Sequence, residues 1–275
     1  MHEETIDPAV TLRRVRERTP LIHNITNLVA MGSMANILLA TGASPAMAHA
    51  REEASELTVL AAALTINIGT PSPHWVMAMK EAAGTASERA LPWVLDPVAV
   101  GATAYRHLTA EALLEHRPDV IRGNASEILA LSGIALHSGR GVDSTDSTRH
   151  AEEAARRLAE KSHSVVAVTG STDFVTDGER GIWVHGGHPL MPCISTLGCG
   201  LTGVVAAFVA ADREAATGDA DPLLATASAL AYYATAGEQA ATNASGPGSF
   251  FVAFLDALYG LQTPSLQGRC STAPD

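Results

Sequence analysis

The chain is predicted to be α/β, with a mostly parallel sheet covered by helices on both faces. Three observations predict this. Short apolar runs alternate with amphipathic stretches over the first two thirds of the sequence. The runs are apolar throughout, as in strands buried on both sides. Of 275 residues, 47% are hydrophobic and 17% charged, enough for a sizeable core.

Asp7 to Arg18 reads as an opening helix that stops at Pro20. Thr26 to Leu39 reads as a small-residue helix closed by Gly42. Four apolar runs then read as strands: Leu64–Ile68, Trp93–Leu95, Val120–Ile121 and Val165–Val168. Helical patterns lie between them, at His74–Ala83, Thr109–Glu115, Ser126–Leu131 and Thr148–Lys161. Phe174–Thr176 and Ile182–His185 flank Asp177-Gly178, a hairpin turn signal that predicts an antiparallel edge. The last third is nearly all helical, at Cys199–Ala211, Pro222–Ala241 and Phe250–Leu261. No repeat or linker divides the chain. A single domain is expected over 1–262, with a flexible Pro-, Ser- and Gln-rich tail over 263–275.

The net charge of −11 argues against nucleic acid or an anionic membrane as a partner. It also means that any phosphorylated ligand needs local positive potential. Cys193, Cys199 and Cys270 are too few and too irregularly placed for a disulfide framework or a zinc site. No apolar run is long enough to span a bilayer and no signal peptide is evident, so a cytoplasmic protein is expected.

The most informative stretch is Ser195-Thr196-Leu197-Gly198-Cys199-Gly200-Leu201-Thr202-Gly203. It sets small residues and a thiol at the start of a helical pattern, Leu201, Val204, Val205, Phe208 and Val209. Such a turn gathers backbone N–H groups and the positive end of a helix dipole, which suits an anion. Alone, it reads as a buried Cys on a tightly packed helix. What lies opposite decides.

The four strands end in Asn67-Ile68-Gly69-Thr70, Asp96-Pro97, Arg122-Gly123-Asn124 with Glu127 beyond, and Thr169-Gly170. Ligands of open α/β sheets bind at the carboxyl ends of strands. Each end singly is an ordinary turn; together they predict one shared site. Asp96 and Glu127 offer oxygens to Mg²⁺. Arg122 offers a fork of donors to phosphate, or a surface salt bridge. Mg²⁺, an Arg and a helix start are what phosphoryl transfer asks of a protein. No G-x-x-x-x-G-K-[ST] run is present, so this is not a P-loop enzyme, and no G-x-G-x-x-G follows the first strand.

From Pro20 to Leu258 the chain resembles the hydroxyethylthiazole kinases of thiamine salvage, within the ribokinase-like superfamily. The resemblance is carried, in order, by Leu21–Asn27, Gly42–Ala48, Asn67–Thr70, Leu95–Val98, Ile121–Asn124, Val168–Gly170, Gly198-Cys199 and Gly246–Phe250. It implies a three-layer ribokinase-like sandwich. The implied activity is phosphorylation of the primary alcohol of 4-methyl-5-(2-hydroxyethyl)thiazole by ATP with Mg²⁺. By the same resemblance Arg122, Thr169 and Gly198 contact ATP, Asn27, Met47, Gly69 and Thr196 line the substrate pocket, and Asp96 and Glu127 lie on the metal side. Cys199 faces the substrate hydroxyl, where most ribokinase-like relatives carry an Asp base. A homotrimer with active sites at subunit interfaces is implied too.

Thr196 stands where the family has Gly. A β-branched residue fills space that a backbone would otherwise approach, so affinity and substrate choice are where this chain departs. Met47 suits contact with a flat sulfur heterocycle and equally suits core packing. Cys199 is expected to orient the hydroxyl and to take its proton, because a helix start makes a thiolate plausible. Two other functions remain open. One is another small-alcohol kinase, of hydroxymethylpyrimidine or pyridoxal type. The other is a catalytically weak thiazole- or nucleotide-binding protein.

Overall fold

The computed structural model describes residues 8–133, 144–215, 220–261 and 268–273. A nine-stranded sheet forms its middle layer, in the order β2-β1-β3-β4-β5-β6-β7-β8-β9. The strands are β1 Leu21–Ile25, β2 Ser44–Ala46, β3 Ala63–Asn67, β4 Trp93–Asp96, β5 Val120–Asn124, β6 Val165–Thr169, β7 Asp173–Thr176, β8 Gly181–Val184 and β9 Cys270–Thr272. The first six run parallel; β7, β8 and β9 continue the sheet antiparallel. The predicted hairpin at Asp177-Gly178 is the β7–β8 connection, with Gly178 at φ 103°.

Strand periodicity sorts the side chains into two cores. Ala63, Val94, Val120, Val165 and Ala167 face one, with helices α1 (Pro8–Arg18), α2 (Met31–Thr41), α8 (Leu197–Ala215), α9 (Pro222–Ala241) and α10 (Pro247–Gly260). Leu64, Ile66, Trp93, Leu95, Ile121 and Val166 face the other, with α3 (Arg51–Leu60), α4 (Pro73–Glu88), α5 (Ala104–Leu114), α6 (Ala125–Ser132) and α7 (Ser144–Ser162). Both faces are covered, which is why the strands read as continuous apolar runs. The same period of two carries Asn67, Asp96, Arg122 and Thr169 onto the first face, beneath the start of α8.

Local chemistry sets the boundaries. Ser72 and Thr103 cap α4 and α5, and Asp221 caps α9 through the N–H groups of Leu223 and Leu224. Asn124 and Glu127 form a reciprocal capping box on α6. Gly42, at φ 103°, closes α2 with its N–H on the carbonyls of Leu38 and Leu39. The start of α2 differs from expectation: the helix begins at Met31, not Thr26. Asn27 accepts the N–H groups of Val29 (3.1 Å) and Ala30 (3.0 Å) on its own Oδ1, holding residues 27–30 in a turn.

Strand β1 has no unbroken apolar run because His23 and Asn24 interrupt it. Both are fully buried and satisfied: His23 pairs with Thr58 Oγ1 and Ala48 O at 2.9 Å each, and Asn24 accepts Thr65 Oγ1 at 2.8 Å. The expected tail is corrected in part. Cys270–Thr272 is an edge strand on β8, and Arg269 pairs with Glu238 at 2.6 Å, so this stretch is tied to the domain. Residues 1–7, 134–143, 216–219, 262–267 and 274–275, which include Asp7 and the rest of the expected tail, lie outside the described residues. Among the described residues no helix is long and apolar enough to cross a membrane.

Helix α8 approaches α2 and α9 through glycines. A Cβ on Gly200 would stand 2.4 Å from Ile37 Cδ1 and 3.0 Å from Tyr233 Oη. Gly200→Val is therefore expected to destabilise the domain by about 1–3 kcal/mol, the usual cost of overpacking. Urea unfolding of both proteins measures it; an unchanged midpoint would refute this packing.

Candidate active site

The site forms where the carboxyl ends of β1, β3, β4, β5 and β6 meet the start of α8. Its deepest group is Asp96, fully buried at the end of β4. Asp96 Oδ2 accepts Asn67 Nδ2 at 2.7 Å and Thr202 Oγ1 at 2.8 Å, and lies 3.8 Å from Arg122 Nη1. Its Oδ1 is buried with no hydrogen-bond partner among the described residues. Burial pushes the Asp96 carboxyl up, and the Glu127 charge adds to this; Arg122 and the bonds from Thr202 and Asn67 oppose it.

Asn67 links this carboxylate to the thiol. Its Oδ1 accepts the backbone N–H of Gly69 at 2.9 Å, so its amide nitrogen must face the other way, toward Asp96 and Cys199 Sγ (3.3 Å). Asn27 is oriented by the same logic. With its Oδ1 on two backbone N–H groups, its Nδ2 donates to Asn67 Oδ1 at 2.9 Å and to Cys199 Sγ at 3.1 Å. Cys199 thus receives two amide donors. Burial pushes its thiol up and the Asp96 charge adds to this, outweighing the Asn27, Arg122 and Asn67 contributions. The helix start had made a thiolate plausible; burial, and after it the Asp96 charge, push the Cys199 thiol up instead.

Arg122 spans the other side. Its Nη2 donates to Thr169 Oγ1 at 2.8 Å and its Nη1 to Gly198 O at 3.1 Å. A Cβ on Gly198 would lie 3.3 Å from Nη1, so glycine admits this approach. Tyr233 Oη braces the helix start by donating to Leu197 O at 2.8 Å. The Leu197 and Gly200 N–H groups are taken by Ile194 O and Thr196 O. Among the described residues, the N–H groups of Gly198 and Cys199 make no backbone hydrogen bond, as expected in the first turn of a helix.

The expected site residues therefore separate into groups. Asn27, Gly69, Asp96, Arg122, Thr169, Gly198 and Cys199 are joined in one cluster, by hydrogen bonds and by the Arg122–Asp96 ion pair. Thr196 is buried and precedes the helix start. Met47 is half-buried on the loop after β2, packed against the core. Glu127 has both carboxylate oxygens occupied, by the N–H groups of Ala99 and Asn124 at 2.8 Å each. Among the described residues no three His, Cys, Asp or Glu side chains gather to hold a metal.

Asn67, Thr202 and Tyr233 were given no role from the sequence. Thr202 was within reach, lying three residues after Cys199 and so on the same helix face. Tyr233 carries no local signal at all.

The hydroxyethylthiazole kinase family profile matches residues 12–264. A hydroxyethylthiazole kinase of Cereibacter sphaeroides (strain ATCC 17029 / ATH 2.4.9) is 58% identical over 255 residues, 93% of this chain and 94% of that protein. The chain belongs to the hydroxyethylthiazole kinase family. The hydroxyethylthiazole kinase of Rhizobium johnstonii is 53% identical over 262 residues, covering 95% of this chain and 96% of its own. The structure of hydroxyethylthiazole kinase from Pyrococcus horikoshii OT3 matches with a TM-score of 0.87 and 39% identity, over 97% of this chain and 99% of that one. The pyridoxal kinase of Staphylococcus aureus, at 16% identity and a TM-score of 0.55 over 80% of this chain and 88% of that one, shares only the fold. The sheet with helices on both faces is the α/β kinase fold of these neighbours.

One titration at the rim of the cluster is testable. Asp173 accepts the Gly170 N–H at 2.9 Å, yet burial pushes its carboxyl up to about 6, against that bond and the charge of Arg122. The folded state therefore binds the proton more tightly than the unfolded chain, whose carboxyl titrates at about 3.9. Stability falls as pH rises between about 4 and 6 and is flat above. Asp173→Asn keeps the acceptor and is expected to remove that slope, raising Tm at pH 7 but not at pH 4. An identical pH profile of Tm for both proteins would contradict this.

Proposed function

We propose that the chain transfers the γ-phosphoryl group of ATP to the primary hydroxyl of 4-methyl-5-(2-hydroxyethyl)thiazole. The observation that carries this reading is the convergence of a doubly hydrogen-bonded Cys199, the Arg122 guanidinium and two N–H groups that make no backbone hydrogen bond at one helix start. Family membership supports the same substrate and ATP as its partner.

In this reading the Gly198 and Cys199 N–H groups and the start of α8 receive the transferring phosphoryl, whose charge they meet with no reorganisation. Arg122, backed by Thr169, supplies the fixed positive charge on the ATP side. Gly69, Asn27, Met47 and Thr196 surround the thiazole. Cys199 orients the hydroxyl for in-line attack. Two amide N–H bonds place its sulfur, and burial pushes the thiol up, so in this reading it positions the hydroxyl and does not serve as a ready base. The alcohol proton leaves late in a loose transition state, and a strong base is not required.

Mg²⁺ fits one part of the expected pair. Asp96 Oδ1 is an orphaned carboxylate oxygen, suited to the ion or to one of its waters. Glu127 spends both oxygens on backbone N–H groups, so it would meet the ion only through water. When bound, Mg²⁺ neutralises phosphate charge. We place the enzyme in the cytoplasm, where ATP is available.

The test is an assay of purified protein with Mg-ATP and hydroxyethylthiazole, run beside hydroxymethylpyrimidine and pyridoxal. Thiazole phosphate is the expected product, at a kcat/KM at least tenfold above either alternative. Cys199→Ala is expected to lower kcat about 10²-fold through lost positioning, and Arg122→Gln to lower kcat/KM for ATP about 10²–10³-fold. Binding of the thiazole without turnover would favour the weak binding protein and sink the kinase reading.

We also propose a homotrimer with its sites between subunits. Leu28 and Val29, 67% and 63% exposed, directly follow Asn27 and leave an apolar edge beside the site. Native mass spectrometry is expected to give three 28.5 kDa chains, and Leu28→Asp to dissociate them. A monomeric, fully active wild type would overturn this.

A further inference from the structure

Arg106 stands outside the cluster, on α5, yet its guanidinium reaches the backbone that supports it. Nη1 donates to Ile68 O at 2.6 Å and to Val98 O at 2.8 Å, and Nη2 donates to Gly69 O at 2.6 Å. These carbonyls belong to two loops, one leaving β3 and one leaving β4. A planar guanidinium can hold both at once; the point charge of a lysine cannot reproduce that fork.

Each loop is also held from the side of the site. The Gly69 N–H is bound by Asn67 Oδ1 at 2.9 Å. A Cβ on Gly69 would stand 2.9 Å from both Asn27 Nδ2 and Asn67 Oδ1, so this peptide lies directly against the two amides that hold Cys199. In the loop after β4, Ala99 adopts φ 55°, a left-handed value that an alanine keeps only under constraint. Glu127 Oε1 holds its N–H at 2.8 Å, and Arg106 holds the preceding carbonyl.

We propose that Arg106 is a positioning residue that clamps the loops after β3 and β4 and thereby sets where Asn67, and through it Cys199, stand. Its kinetic consequence rests on the kinase reading; its geometric consequence does not. Among the described residues Arg106 hydrogen-bonds to neither Cys199 nor Asp96; its guanidinium bonds run to the backbone of residues 68, 69 and 98.

The test uses the full-length protein with Arg106→Gln and Arg106→Lys. Alkylation by iodoacetamide is followed at each cysteine by mass spectrometry. Cys193, exposed just before α8, and Cys270, on the edge strand β9, serve as internal clocks. In both variants the rate at Cys199 is expected to rise about tenfold, with Cys193 and Cys270 unchanged. KM for the thiazole alcohol is expected to rise about tenfold while KM for ATP stays within about twofold, since small misplacements of reacting groups carry penalties of this size. Millimolar methylguanidinium is expected to restore part of the alcohol KM in Arg106→Gln. No acceleration at Cys199, or equal acceleration at all three cysteines, would overturn the proposal, as would KM values that rise together. Absence of turnover in the wild type would instead defeat the kinase reading, with the alkylation rates still deciding the clamp.

Discussion

Asp96 is a carboxylate taken out of water at the end of a central strand, and the site is organised around keeping it there. A buried charge is tolerated only when it is paired and hydrogen-bonded. Asn67, Thr202 and Arg122 meet that demand from three elements: β3, α8 and β5. The register of the sheet makes this possible. Asn67 and Asp96 are direct partners on adjacent parallel strands, so their side chains leave the same face together. Once Asn67 is committed to Asp96, its remaining N–H falls on Cys199, and the thiol is located by the charge beneath it.

The same arrangement resolves a conflict in the bulk electrostatics. A chain with net charge −11 repels nucleotides, so phosphate affinity has to be local. In the proposed function Arg122 and the start of α8 supply it, and Gly198 lets the two come together. Asp96 tempers that positive region, and burial together with the Asp96 charge pushes the Cys199 thiol up. The proposed role of Cys199 then depends on orientation, and with it on the loops after β3 and β4.

Much of this was legible in the sequence. Leu64–Ile68, Trp93–Leu95 and Val165–Val168 read as buried strands because both faces of the sheet are covered. Their polar ends marked the site because side chains at strand ends have few other reasons to converge. Strand β1 was illegible: buried His23 and Asn24 break its pattern, and the partners that make them affordable, Thr58, Ala48 and Thr65, are far along the chain. Asn67 was visible as a strand end, but its role depends on lateral register, which no local pattern encodes. Glu127 shows the opposite problem. Asn124-Ala125-Ser126-Glu127 matches a capping signature, and the structure uses it as one, while the sequence reading assigned the carboxylate to metal. Arg106 and Tyr233 depend wholly on how helices dock, and only coordinates reveal them.

The central claim is that Asn67 acts through Cys199. A double-mutant cycle of Asn67→Ala and Cys199→Ala on kcat/KM for the thiazole alcohol tests it most directly. If Asn67 acts through Cys199, the coupling is strong, about 0.5–3 kcal/mol, and the double mutant is little worse than Cys199→Ala alone. Effects that add to within about 0.3–0.5 kcal/mol would contradict it, because residues that do not share a function behave in that way.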